Sequence, residues 1–179
     1  SLSNALFTYN LLDFNSIKEI YDNIEIQKNE ENEIELGFKT KKIARVFVKV
    51  TSKLSIIYRE DRTRYSMQLI ADILKRLNNE NKISIRDLYE LKESDVINII
   101  ENSKYNNIFN IWRNATKIKV SKEEPKDVYF VHHGAKIRYI DPLFNGKRIS
   151  KCCKIAKNMI DKNLSYDMNN YVYLDFNFD

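Results

Sequence analysis

The sequence predicts an α+β protein: a mainly α-helical N-terminal portion with a β-hairpin flap, then a smaller α+β C-terminal portion. Three observations predict it. Apolar residues recur at helical spacing from residue 40 to residue 77. Period-two alternation flanks the polar turn at 29–32 and returns after Ala115. Glycine and proline, 3 and 2 of 179 residues, are too scarce for a turn-rich all-β sandwich or for Gly-rich phosphate loops. The expected division is 1–115 and 116–179, with the boundary at 115–120.

Residues 15–22 read as a short helix, with Asn15 or Ser16 as N-cap and Ile17, Ile20 and Tyr21 on one face. Ile24 and Ile26 alternate with charge, Asn29-Glu30-Glu31-Asn32 turns, and Ile34, Leu36 and Phe38 alternate again, which predicts a hairpin exposed as a flap. From Thr40 the period becomes helical: Ile43, Val46, Phe47, Val50, Leu54 and Ile57 form one apolar stripe. The charged cluster Arg59 to Arg64 interrupts it before Tyr65, Leu69, Ile73, Leu74 and Leu77 resume it. With no Gly or Pro at the interruption, one continuous helix is favoured over two.

Ser84 and Asp87 suggest a capping-box start, Ser94 caps a second short helix, and Ile108, Phe109 and Trp112 mark a third. Then come a strand near 118–120, alternation over 128–132 and 135–139 with a hairpin turn at His133-Gly134, and a second turn at Asn145-Gly146. Ser150 should cap a helix carrying Cys152, Ile155, Ala156, Met159 and Ile160, and residues 171–176 close as a strand.

Net charge is +5, with 30 Lys and Arg against 25 Asp and Glu spread along the chain, and reads as a mixed solvated surface rather than a dedicated nucleic-acid binder. No run reaches the ~18 apolar residues of a membrane helix, so no membrane partner is expected. The adjacent Cys152 and Cys153 give neither a disulfide framework nor a metal knuckle, which points to a reducing cytoplasm. Cys152 is expected in the core with Cys153 at its rim. The chain starts at Ser1, not Met, and reads as processed or cut from something longer.

Metal chemistry finds little support, because the only histidines, His132 and His133, are neighbours that would point to opposite faces of a strand. More informative is Tyr58 to Tyr65. On one helix, spacings of four and three bring Tyr58, Arg62 and Tyr65 onto one face with Arg59 beside them. Guanidinium groups beside phenols suit a phosphorylated ligand that also stacks. The bland reading is a salt-bridge lattice with Glu60 and Asp61. A second candidate strip holds His133, Lys136, Arg138 and Asp141, its basic side chains interleaved with Tyr139.

The run LSIIYREDRTRYSMQLIADILKRL from Leu54, followed by ISIRDLYELKESDVINII from Ile83, resembles the region after the catalytic half of HD-superfamily phosphohydrolases, helical metal-dependent enzymes that include the deoxynucleotide triphosphohydrolases. Ser84, Asp87, Leu88, Tyr89, Leu91, Ser94, Asp95, Val96, Ile99 and Ile100 carry the second part of the likeness. The later VYFVHHGAKIRYIDPL is more weakly similar to a C-terminal module of such proteins. The family's metal ligands include an adjacent His-Asp pair. This sequence has no such pair and no histidine before His132.

The resemblance therefore implies a C-terminal module whose metal-binding half lies upstream. It would be inactive alone, with no cofactor of its own, and the divalent metal would be expected only in the full-length protein. Its partners would be a nucleotide or phosphorylated small molecule and further copies of itself, with nucleic acid less favoured. Tyr58, Arg62 and Tyr65 take the positions that cradle substrate in the family, Arg59 and Arg64 less firmly. The alternative is a non-catalytic regulatory module that binds nucleotide or nucleic acid through its basic C-terminal strip.

Overall fold

The structure, a computed structural model, describes residues 2–178; Ser1 lies outside them. Chain order runs α1 (Leu2–Thr8), α2 (Phe14–Asp22), β1 (Ile24–Lys28), β2 (Ile34–Phe38), α3 (Lys41–Ile57), α4 (Asp61–Asn79), α5 (Asp87–Glu90), α6 (Glu93–Glu101) and α7 (Asn106–Asn114). It continues with β3 (Lys119–Ser121), β4 (Phe130–Val131), β5 (Leu143–Phe144), β6 (Lys147–Arg148), α8 (Ile149–Cys152), α9 (Lys154–Leu164) and β7 (Tyr171–Tyr173). This is the α+β class that the sequence predicts.

The chain forms two compact units, and they interleave rather than meeting near residue 115: one is Ser1–Tyr58 with Lys136–Asp167, the other Arg59–Ala135 with Met168–Asp179. Each has its own sheet and its own core.

In the first unit α3 packs against α9, and Ile43, Ala44 and Val48 meet Ala156, Ile160, Ile149 and Cys153 in a buried cluster with Ile20 and Phe38. Thr40 caps α3, its hydroxyl accepting the Ile43 amide at 3.4 Å. Asp13, not Asn15 or Ser16, caps α2, taking the Ser16 amide at 2.7 Å. The expected hairpin forms, with Ile26 opposite Leu36 and Ile24 opposite Phe38. Its sheet runs β1-β2-β5-β6, and the β5–β6 turn is Asn145-Gly146, both at positive φ (51° and 73°) as a primed hairpin turn requires.

Toward its turn the hairpin departs from the usual burial rule. Its polar face is engaged within the unit: Gln27 accepts the Gly146 amide at 2.9 Å, and Glu35 takes Arg148 through two bonds of 2.7 and 2.8 Å. Its apolar face divides: Ile24 and Phe38 at the base pack into the core, while Ile26, Ile34 and Leu36 toward the turn are exposed at 73%, 71% and 66%. Period two was legible in the sequence, but the anchoring of the polar face at Arg148, more than a hundred residues away, was not.

The helix expected from Ser150 is two pieces. Ser150 lies inside α8, tied to Asp141 through its amide at 3.0 Å and its hydroxyl at 2.5 Å, and Cys153 breaks the run at φ −138°, ψ 101°. That extended residue turns its own side chain inward, so Cys153 is buried and Cys152 lies at the rim, the reverse of the expectation.

In the second unit Tyr65, Leu69, Ile73 and Leu77, spaced by four along α4, pack with Ile100, Tyr105, Ile108 and Phe109 and with Val131, Val172 and Leu174 of the sheet. That sheet runs β3-β7-β4, all antiparallel, with the last strand at its centre. Ser84 and Asp87 make the reciprocal bonds read from the sequence, each amide donating to the other's side chain at 2.7 and 3.1 Å, but α5 begins only at Asp87, after Arg86, so Ser84 is not its N-cap. Ser94 instead sits inside the first turn of α6, which starts after Lys92. The hairpin expected about His133-Gly134 is absent. Phe130 and Val131 pair with β7, and 132–142 carry no strand, so the alternation there serves no ladder.

Candidate functional site

The Tyr58–Tyr65 segment is a helix junction. α3 ends at Ile57 and α4 begins at Asp61, with Glu60 between them in an extended conformation (ψ 148°). The continuous helix expected from the lack of Gly and Pro is therefore corrected to two. What fixes the new start is a polar knot around Arg64, whose side chain is 1% exposed. Its Nη2 donates to Asp61 Oδ1 at 2.5 Å, and its Nη1 donates to the carbonyl of His133. Asp61 accepts a second bond from Asn170 Nδ2 at 2.9 Å. An aspartate in the first turn also favours the positive end of α4.

With the helix broken, the shared face of Tyr58, Arg62 and Tyr65 is lost. Tyr58 closes α3, exposed, its ring edge-on to Tyr9 at 5.8 Å. Arg62 is exposed in the first turn of α4, with Nη2 at 3.5 Å from the Ala115 carbonyl at the end of α7. Tyr65 is fully buried, edge-on to Tyr129 at 5.8 Å, and burial pushes its phenol pKa well up. The Leu174 amide leans toward that hydroxyl without closing a hydrogen bond. Arg59 is buried as well.

In the second strip the His133 side chain is exposed and its Nδ1 contacts the Gly134 carbonyl at 3.2 Å. Lys136 and Arg138 are exposed in irregular chain, which is anchored where the Arg138 carbonyl accepts Ser55 Oγ at 2.7 Å and Asn163 Nδ2 at 3.2 Å. Seven of the candidate residues divide between the units: Tyr58, Lys136 and Arg138 belong to the first, Arg59, Arg62, Tyr65 and His133 to the second.

Sequence reasoning offered Arg64 only as a less firm substrate contact, whereas its side chain is buried as the keystone of the junction. It also missed the pair Arg148–Glu35, in which the guanidinium holds the Glu35 carboxyl below its ordinary range, helped by Asn29. It read the charge as evenly spread, yet the first unit carries 16 Lys and Arg against 11 Asp and Glu, the whole excess, while the second balances 14 against 14. One signal was available: no acidic residue occurs between Glu35 and Glu60.

For a divalent metal the fit is poor. His132 stacks on Tyr171 at 3.9 Å and its Nε2 meets Asn169 Oδ1 at 2.9 Å. Among the described residues no three His, Cys, Asp or Glu side chains converge as a ligand set. Among the described residues, too, no helix is long and apolar enough to cross a membrane. Comparison with family models, with curated proteins and with solved structures finds no match.

Proposed function

We propose that the chain is the recognition and scaffold portion of an HD-type phosphohydrolase of the cytoplasm, whose metal ligands lie upstream in the full-length protein. On this reading it contributes phosphate-contacting side chains and homo-oligomer contacts, and alone it hydrolyses nothing. A bound divalent metal elsewhere in the enzyme would supply the attacking hydroxide. This chain's residues bind and orient the nucleotide.

One observation supports the reading most: the residues that carry the likeness form a coherent succession, with the Tyr/Arg junction leading into α4 and the Ser84–Asp87 reciprocal bonds following it. Burial assigns different parts to the candidates. Arg62, Tyr58, His133, Lys136 and Arg138 present their side chains to solvent, where a phosphate can reach them. Arg59 and Tyr65 act from within the fold. A guanidinium such as Arg62 suits phosphate because its planar fork donates two charge-assisted bonds at once.

Calorimetric titration of the chain with nucleoside triphosphates tests this. Binding is expected, and Arg62→Ala should weaken it about tenfold, the loss of one charge-assisted contact of about 1.5 kcal/mol. Metal-dependent phosphatase turnover that stays with the chain through stringent purification would overturn the reading. So would the absence of any nucleotide binding at millimolar concentration.

A further inference from the structure

α3 carries five cations, Lys41, Lys42, Arg45, Lys49 and Lys53, and no acid along its 17 residues. All five are exposed, and among the described residues none has an ion pair or side-chain hydrogen bond. Elsewhere in the unit several cations are answered by acids, Lys151 by Glu30, Lys157 by Asp161, Arg148 by Glu35 and Lys18 by Asp22, whereas no other element of the unit lines up five cations without an acid.

Four of the five are spaced by four residues, so their Cα atoms climb the helix in steps of about 6 Å over about 18 Å and wind by about a third of a turn. Local physics disfavours the arrangement. Each i,i+4 step is a like-charge pair, and Lys41 and Lys42 sit at the positive end of the helix. The acids of this unit lie elsewhere, with Glu25, Glu30, Glu31, Glu33 and Glu35 gathered on the hairpin.

We propose that the exposed face of α3 docks the phosphate backbone of a nucleic acid, by charge and without reading sequence. A strand carries one charge per about 3.4 Å of axis, so a row of cations about 18 Å long meets a run of phosphates rather than one. A single nucleotide would leave most of the row unanswered. A lipid surface fits less well, because interfacial helices set large apolar side chains among their cations, and none of the exposed large hydrophobics of the described residues lies on α3. The proposal does not depend on the phosphohydrolase reading and uses none of its residues.

Fluorescence anisotropy with a labelled 20-mer, as duplex DNA, single-stranded DNA and single-stranded RNA, tests it at 50 to 200 mM salt. Four engaged cations give a log–log salt slope of about −3.6 on duplex, or about a hundredfold loss across that range. The three probes decide which nucleic acid is preferred. Arg45→Gln/Lys49→Gln/Lys53→Gln should flatten the slope by nearly 3 and weaken binding at 50 mM at least a hundredfold, with the circular dichroism spectrum unchanged.

Lys92→Gln/Lys117→Gln/Lys126→Gln removes the same net charge from exposed sites of the other unit and should bind like the parent. Equal weakening by both triple variants would overturn the proposal. So would binding to anionic vesicles without binding to any oligonucleotide, or salt-dependent self-association through the acidic hairpin that α3 substitutions abolish while oligonucleotides stay unbound.

Discussion

Replacing Arg64 by Met keeps the apolar stem and removes the guanidinium that ties the start of α4 to His133. Two charge-assisted bonds go, to Asp61 Oδ1 and to the His133 carbonyl, each worth about 1.5–3 kcal/mol. Against that, Arg64 Nε is a buried donor without a partner, and its removal returns about 1 kcal/mol or more. Asp61 is 24% exposed and keeps Asn170, so it is not left as a stranded buried charge. The net expectation is a loss of about 3 kcal/mol, at the low end of the range for breaking a buried pair. For a unit of about 90 residues this lowers the melting temperature by about 15 °C. The assay is clean because Trp112 is the one tryptophan, lies in this unit, and donates to Ser66 Oγ at 2.9 Å, so its fluorescence follows the unit that contains Arg64. In the double variant with Asp61→Asn, at least 1 kcal/mol of coupling should be recovered. A urea midpoint for Arg64→Met within 1 kcal/mol of the parent, or strict additivity in the cycle, would refute the keystone role.

Tyr65→Phe should leave stability unchanged or raise it by up to about 1 kcal/mol, because its buried hydroxyl closes no hydrogen bond. A loss above 1 kcal/mol would show that the Leu174 amide bonds it after all. The same variant should leave nucleotide affinity unmoved. Because the Arg148 bond depresses the folded pKa of Glu35 below its ordinary 4.5, its contribution is present above 4.5 and is lost as pH falls through the folded value. Glu35→Gln should therefore flatten the acid limb of a urea-midpoint profile followed by far-ultraviolet circular dichroism, and an unchanged limb would contradict this.

Much of the fold was legible because period and turn chemistry are local. Ile24 to Phe38 alternated about a polar turn, Asn145-Gly146 named its own turn type, and Ser84 with Asp87 announced reciprocal bonds that form as read. The failures came from distant partners. Glu60 breaks a helix without Gly or Pro because Arg64 is drawn toward a carbonyl at residue 133, and of the alternation over 128–139 only Phe130 and Val131 find a partner, in β7 rather than in a hairpin. The candidate site was legible only as a set of residue types. Tyr58, Arg62 and Tyr65 share a face on an ideal helix, but the chain gives them a terminus, a surface and a core. Charge failed for another reason: a total of +5 conceals one neutral unit and one that carries all of it.

The interleaving has a consequence for how the protein is made. α3 is made about a hundred residues before α9, the helix it packs on, and the other sheet waits for its middle strand until residues 171–173. Neither core can close until its last element has been made, α9 in one unit and β7 in the other. Nascent chains should therefore keep Val48 accessible until α9 is made and Leu69 until β7 is made, and removing residues 168–179 would cost one unit its central ladder while sparing the helix pair of the other.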